Sequence, residues 1–429
     1  MKPHLILLFT LLITACTENI EPAPTVSSTS ESLPPTLTAI AEESQRWAIY
    51  SSDPGHLWNR MFRQFFARTA SDGTEYGRDS LDPLLWPETT YLLEGKSYQQ
   101  SIQLLDEFLL SQGEDLISVP LKRAMFQRDM WSVFDWLAFR YDDYPIDHPT
   151  QRQELQERIA KVIQRVALSK QEIEALPENY IAAGSSGVFT SSFQTEQPLA
   201  AFLPADLYSP RSAWICVGRL NGPVALTHTD SFPFLGRSVF LVYMRVPKGN
   251  DETFYLIRAM NTESSPDLPD GTEVALVRRV LLIDKEGEIV LSPLVASIQL
   301  RHFKTSRAQF FYEFQIAKPL LFANIAGGFQ PVDKEIMLFQ SHGDGFQSGH
   351  LEEARTPNLC RGCHIDDGQG INGINSILSY SRKRFSLPND QRPILVETTP
   401  ELEAKTVIAW KLMDRTWEAL SILWQQVNP

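Results

Sequence analysis

The sequence predicts an α+β protein of several domains: a helical N-terminal region, an antiparallel β sandwich or barrel-like middle, and a small, mostly helical C-terminal region. Three observations predict this class. Apolar residues recur at helical spacing between about 40 and 178, they alternate with the period of a strand between about 188 and 330, and an apolar stripe at helical spacing ends the chain. We therefore divide the body into regions 40–180, 181–335 and 336–429.

Helices are predicted first in the N-terminal region. The clearest candidate begins at Pro120, a residue that suits the first position of a helix, and runs to about Tyr141. Apolar side chains cover most of its circumference, which predicts a central, buried helix. Ser169 and Glu172 have the spacing of a capping box. Further helices are predicted around Trp58–Phe66, Tyr98–Leu110 and Gln153–Leu168.

Strands are predicted in the middle region, where β-branched and aromatic residues dominate. Asp284-Lys285-Glu286-Gly287 reads as the tight turn of a hairpin between two such runs. Tight turns between several short strands favour an antiparallel sandwich or barrel. The predicted strands include 238–246, 254–258, 273–283, 288–291, 296–303 and 309–316.

The C-terminal region begins with a glycine-rich loop at 341–350 and ends with one long helix from about Pro400 to Val427. Thr398 and Glu401 have the spacing of a capping box for this helix, and Thr399 with Pro400 next is the alternative cap. Trp410, Met413, Trp417, Leu420 and Trp424 follow each other at steps of three and four, so the sequence predicts that this stripe is packed in the core.

Composition restricts the classes of function. The chain has 429 residues, of which 43% are hydrophobic and 21% charged, as in globular proteins. Its formal net charge is −13, which disfavours nucleic acid as a partner because phosphate binding needs a basic face.

The N-terminus has the pattern of an export signal. Lys2 is followed by an apolar run from Leu5 to Ile13, too short to span a bilayer but long enough for a signal peptide. The run ends in Ile13-Thr14-Ala15-Cys16, which resembles a bacterial lipobox. The resemblance implies that residues 1–15 are removed and that Cys16 is acylated. A Pro- and Ser-rich stretch at 16–39 then reads as a disordered tether, so the body is expected outside the cytoplasm, on the periplasmic face of a membrane or at the cell surface.

One motif points to chemistry. Cys360-Arg361-Gly362-Cys363-His364 has the C-x-x-C-H pattern and resembles the haem-attachment motif of c-type cytochromes. The resemblance implies one covalent haem c, attached by thioethers at Cys360 and Cys363, with His364 as the proximal ligand of its iron. It covers five residues, and we recognise no named family over residues 40–340.

Other interpretations of this motif remain open. Zinc could use Cys360 and Cys363 with two histidines, although no second C-x-x-C follows. A thioredoxin-type dithiol would need a preceding strand and a following helix, whereas Pro357 precedes and a glycine-rich segment follows. A plain disulfide is a third alternative. Cys216 is interpreted as a small buried residue, and His228 and His302 as structural ones.

The sixth ligand of the iron is left open by the sequence. The candidates are His350, His342 and Met413, of which Met413 is favoured as a core residue because it lies on the apolar stripe. An open sixth site is the remaining possibility. Arg382 is a candidate partner for the haem propionates.

These patterns lead to a membrane-anchored, extracytoplasmic, monohaem protein resembling c-type cytochromes, which transfers single electrons to a redox partner protein. It is then not an enzyme. The alternatives are a haem enzyme, such as a peroxidase or a subunit of an oxidase complex, with an open sixth site, and a structural envelope lipoprotein. The expected partners are haem and the lipid bilayer that holds acylated Cys16.

Overall fold

Helices form the first part of the described chain, as the sequence predicts. The computed structural model describes residues 47–69, 75–78, 81, 91–139, 148–209, 212–230, 234–262, 268–304, 309–332, 336–340, 352–356 and 394–427. The helices of this first part are α1 (Leu57–Phe66), α2 (Gly95–Leu110), α3 (Pro120–Ala138), α4 (Pro149–Arg165), α5 (Lys170–Glu174) and α6 (Asn179–Ser185). The predicted capping box is confirmed at the start of α5, where the Ser169 hydroxyl accepts the Glu172 N–H and the Glu172 carboxylate accepts the Ser169 N–H.

Helix α3 is the central element. Every residue from Ala124 to Ala138 is buried, which confirms the prediction of a helix that is covered on all sides. On one side, the Trp58 ring of α1 stacks on Phe126 at 4.3 Å between centroids. On another side, the Gln127 side chain makes two hydrogen bonds to the backbone of Ile283, at 2.7 and 3.0 Å, and so joins α3 to the sheet.

The middle of the chain forms a seven-stranded sheet in which every neighbouring pair is antiparallel. The strand order is β11-β3-β4-β5-β6-β7-β8. These strands are β3 (Ile215–Arg219), β4 (Ser238–Arg245), β5 (Glu273–Ile283), β6 (Ile289–Phe303), β7 (Gln309–Ile316), β8 (Phe329–Pro331) and β11 (Leu395–Glu397). The antiparallel arrangement is confirmed, but these strands form one open sheet with β11 and β8 at its edges, neither a sandwich nor a closed barrel.

Helices cover both faces of this sheet, which explains the difference from a sandwich. Along β4, Val239, Leu241 and Tyr243 belong to the same hydrophobic cluster as α1 and α3. The alternate residues Val242 and Met244 point to the other face. There they pack in a second cluster with the helix that follows β4. A strand that is apolar on both sides fits between two layers, and here both layers are helical.

The remaining elements are short or lie near the C-terminus. Two short pairs of antiparallel strands lie outside the large sheet. The first pair is β1 (Arg68–Thr69) with β2 (Glu75–Tyr76), and the second is β9 (Ile336–Gln340) with β10 (Glu352–Thr356). The other helices are α7 (Leu226–Asp230), α8 (Asn250–Thr262), α9 (Lys318–Phe322), α10 (Pro400–Leu412) and α11 (Arg415–Val427). In the described part of the chain, no helix is both long and apolar enough to cross a bilayer.

The predicted strand at 254–258 is wrong, because these residues lie in α8. The buried residues of α8 include Leu256, Ile257 and Met260, whose spacing is helical. Asp251 and Glu252 occupy its first turn, where carboxylates stabilise a helix N-terminus.

The predicted helix from Pro400 to Val427 is two helices, α10 and α11, separated at Met413 and Asp414. Of the two predicted caps, Thr399 is confirmed and Thr398 is wrong, since the Thr399 hydroxyl accepts the Leu402 N–H. Asp414 starts the second helix, because its Oδ1 accepts the Thr416 N–H at 3.0 Å.

Candidate functional site

Most of the predicted site residues lie outside the described residues. This holds for the lipobox cysteine and for the candidate haem residues of the motif and the glycine-rich loop, namely Cys16, His342, His350, Cys360, Cys363, His364 and Arg382. Met413 is the predicted ligand that the structure describes.

The described backbone frames the motif on both sides. Strand β10 ends at Thr356, four positions before Cys360, and β11 begins at Leu395. In the β9–β10 pair, Gln340 lies opposite Glu352, so the two ends of segment 341–351 are held together. That segment contains His342 and His350. After β11 the chain continues almost directly into α10, the helix that leads to Met413.

Met413 is at the surface, so its expected place in the packed core is wrong. It forms the C-terminal cap of α10 and is 79% exposed. The reason is the break between α10 and α11, which turns the chain at this residue and removes it from the stripe. Trp417, Leu420 and Trp424 of the same stripe are buried, as predicted.

The Met413 side chain borders a cleft of about 740 Å³. The last residues of α3 and part of α4 form one wall, and the end of α10 with the start of α11 forms the other. The lining includes Phe139, Gln156, Trp410, Arg415, Ala419 and Ile422. The cleft therefore combines a thioether, aromatic and aliphatic surface, a guanidinium group and the carboxylates of Asp414 and Glu418.

A buried cluster of charges lies next to this cleft. Asp135 of α3 accepts two cationic donors on the same oxygen, Arg237 Nη1 at 2.7 Å and Lys411 Nζ at 2.7 Å. Lys411 Nζ also contacts Thr416 Oγ1 at 2.7 Å and Asp414 Oδ1 at 3.3 Å. Asp414 and Thr416 both line the cleft, so hydrogen bonds connect its surface to Asp135 in the last turn of α3.

Asp414 is the titratable member of this cluster at the cleft. Burial by itself raises the pKa of its carboxyl group. The Lys411 ammonium and the Thr416 hydroxyl and N–H donors outweigh this effect, so the net pKa is below its ordinary value. Asp414 is therefore a carboxylate throughout the neutral range.

A second buried ionic group lies nearer the start of α3. Asp129 pairs with Lys318 of α9 at 2.9 Å and accepts a hydrogen bond from the Tyr50 hydroxyl. Burial raises the pKa of Asp129 to about 6, although Lys318 acts against this increase. The Lys318 ammonium also lies 4.2 Å from the centroid of Phe62. This group joins three elements and does not line the cleft.

The other described residues with reactive side chains do not form a site. Cys216 is 8% exposed, which confirms a small buried residue, and burial raises the pKa of its thiol to about 12. Burial lowers the pKa of His228 to about 4, so its imidazole is neutral. His302 contacts Glu273 at 3.1 Å and stacks on Phe193.

Sequence reasoning missed Lys411 and Asp135. A partial signal was present, since Asp135 is a charged residue in a helix predicted to be buried on all sides. Its partner could not be inferred, because 276 positions separate the two residues.

Among the described residues, no group of three or more His, Cys, Asp or Glu side chains is arranged to hold a metal ion. No protein family, no curated protein and no solved structure matches this chain.

Proposed function

We propose that the chain is a lipid-anchored, extracytoplasmic protein that carries one covalently bound haem and transfers single electrons. The observation that carries this proposal is Cys360-Arg361-Gly362-Cys363-His364, because its spacing is that of haem attachment. The lipobox-like segment that ends at Cys16 supports it. It directs the chain to the compartment in which bacteria attach this kind of haem.

The residues of the motif have separate roles in this proposal. The Cys360 and Cys363 thiols form thioethers that fix the group to the chain, and the His364 imidazole occupies the proximal position. The haem, when bound, supplies the one-electron chemistry. The protein sets the potential through the axial ligands, burial and nearby charges.

We place such a group at the cleft beside Met413. A volume of about 740 Å³ lies within the range of ligand and cofactor sites. The exposed Met413 thioether is a candidate axial ligand, and Trp410 offers an aromatic surface beside it. We therefore propose Met413 as the sixth ligand, with His342 and His350 as the alternatives.

Haem attachment is tested directly by expressing the full chain with the machinery for cytochrome c maturation. A denaturing gel stained for haem and a mass spectrum are expected to show one covalent adduct. Cys363→Ala should reduce the attachment to a single thioether, and His364→Ala should abolish the stable low-spin iron. Cys216→Ala is the matched control and should leave the adduct unchanged. A wild-type chain without any adduct would contradict the proposal.

The Met413 assignment has its own test in the protein that carries haem. Met413→Ala should remove the absorption band that arises from sulfur-to-iron charge transfer and should lower the midpoint potential, because a thioether ligand raises it. Leu412→Ala removes a neighbouring exposed side chain and serves as the control. If both variants resemble the wild type, His342→Ala and His350→Ala identify the ligand.

A haem enzyme is the second candidate. It is favoured by the volume of the cleft, about 740 Å³, and by the charged groups Asp414, Arg415 and Glu418 in its lining. A wild-type protein with high-spin iron that reacts rapidly with peroxide would favour this candidate. Low-spin, six-coordinate iron would favour the electron carrier.

A further inference from the structure

A buried side chain, Lys411, connects the turn that carries Met413 to α3. Lys411 is fully buried, and its ammonium lies between two carboxylates, Asp135 at 2.7 Å and Asp414 at 3.3 Å. It also donates to Thr416 Oγ1 at 2.7 Å. Asp135 belongs to α3, whereas Asp414 and Thr416 belong to the junction between α10 and α11.

The Met413 side chain does little to hold this junction in place, because it is 79% exposed. The hydrogen bonds within the junction are local. The Met413 N–H donates to Trp410 O at 3.1 Å, and the Asp414 N–H donates to Lys411 O at 3.0 Å. These bonds shape the turn, but they do not connect it to α3.

The charge balance explains why a cation stands at position 411. Arg237 is already 2.7 Å from Asp135 and can neutralise it. Asp414 brings a second carboxylate, and Lys411 supplies the matching charge. A buried ammonium is costly unless it is paired and hydrogen-bonded, so it is most stable when all three of its acceptors are in place. The ammonium therefore favours one position of the turn over others.

We propose that Lys411 is a positioning residue, which holds the turn at Met413 and Asp414 against α3 and so places the Met413 thioether at the cleft. The effect of Lys411 on the iron rests on the proposed function. The effect of Lys411 on the position of the turn does not depend on haem and can be measured in the protein without it.

Two variants test this inference. Thr416→Val removes one acceptor of Lys411 together with the hydrogen bond that this hydroxyl donates to Asp414, and it leaves the bond between Lys411 and Asp135 intact, so the fold should be retained. Lys411→Met removes the ammonium and keeps much of the side chain's length. The matched controls are Thr406→Val and Lys405→Met. Both residues belong to α10, the helix that contains Lys411, and Lys405 is exposed.

Hydrogen exchange of the full chain without haem is the first readout. Backbone amides of residues 413–418 should exchange about tenfold faster in Thr416→Val and faster still in Lys411→Met, with the controls like the wild type. Unchanged exchange in Thr416→Val would overturn the inference, and this result stands even if Lys411→Met does not fold.

The second readout uses the protein that carries haem. With the adduct at Cys360 and Cys363 intact, Thr416→Val should weaken the sulfur-to-iron band and lower the midpoint potential in the direction of Met413→Ala. A band and a potential like those of the wild type would overturn the role of Lys411 at the iron. If Met413→Ala itself has no effect, the ligand assignment fails instead, and hydrogen exchange still decides the hold on the turn.

Discussion

Asp135 shows how a single carboxylate can determine the arrangement of distant elements. It is fully buried in α3 and is shared by Arg237, which lies just before β4, and Lys411 of α10. If the Asp135 carboxylate is removed, Arg237 and Lys411 both lose the negative charge that pairs with them. A buried charge without a partner strongly destabilises the folded state.

Asp135→Asn is therefore expected to lower the free energy of unfolding by about 3–5 kcal/mol. Urea denaturation followed by circular dichroism measures this change. Asp106→Asn is the control, because Asp106 is 44% exposed and pairs with Arg158 on the surface. The control should cost about 1 kcal/mol or less. Equal effects of the two substitutions would contradict the importance given to the buried cluster.

Glu403 is expected to make the free energy of unfolding depend on pH between about 4.5 and 7. Its side chain is buried in α10 and accepts the Val224 N–H at 2.7 Å. Burial raises the pKa of this carboxyl to about 7 from an ordinary value of 4.5. The folded state therefore holds its proton more tightly than the unfolded state, and stability falls as the pH rises from about 4.5 to 7.

Glu403→Gln keeps an acceptor for Val224 and removes the titration. We expect the unfolding free energy of the wild type, relative to this variant, to fall by up to about 3 kcal/mol between pH 4.5 and pH 7.5. Urea denaturation at several pH values measures it. Glu401→Gln, an exposed position on the same helix, should follow the wild type. A parallel pH dependence of Glu403→Gln and the wild type would show that Glu403 does not titrate in this range.

At the scale of elements, the sequence predicted the helices whose buried face repeats regularly. Helix α3 and the capping box of α5 are examples, because both depend on residues a few positions apart. Helix α8 was missed because Phe254 and Tyr255 favour strands locally, whereas packing of Leu256, Ile257 and Met260 against the sheet decides the outcome. The break before α11 was missed because the apolar stripe continues across it, although Asp414 is a good helix cap.

The sequence predicted the local motifs of the candidate site but not the cleft. The motif at 360–364 and the lipobox-like segment are local patterns, so the sequence alone suffices to suggest them. The cleft depends on contacts between α3, α4, α10 and α11, and such contacts leave no local pattern. Met413 lies at the surface because the helix breaks at this residue. The apolar stripe continues across the break, so the sequence predicted a core position for Met413.

The cap of α5 provides a test at this scale. Ser169→Ala removes the acceptor for the Glu172 N–H and should lower the unfolding free energy by about 1 kcal/mol. Ser111→Ala, at an exposed position after α2, is the control and should change it little. Urea denaturation of both variants measures the difference. A Ser169→Ala protein as stable as its control would show that the capping box contributes nothing measurable.

At the scale of the whole molecule, helices and sheet share one hydrophobic core. The largest cluster includes Trp58 and Trp131 from helices as well as Val277 and Ile298 from strands. The described residues from Trp47 onward fall within one compact unit. The stability of this body is therefore expected to be independent of the lipid anchor.

Cys16→Ser tests the lipid anchor and the independence of the body's stability from it. In the proposed lipoprotein it should move the exported chain from the membrane fraction to the soluble fraction, since the acyl chains supply the attachment. The melting temperature of the purified body should stay the same. Continued membrane association of this variant would contradict anchoring through Cys16.

The ion pair between Asp135 and Lys411 has a consequence for the order in which the molecule is assembled. The ribosome makes Asp135 276 positions before Lys411, and the proposed export from the N-terminus would deliver them in the same order. One wall of the cleft would thus cross the membrane well ahead of the other. In the proposed haem protein, the enzymes that attach haem would meet Cys360 before the opposite wall is complete.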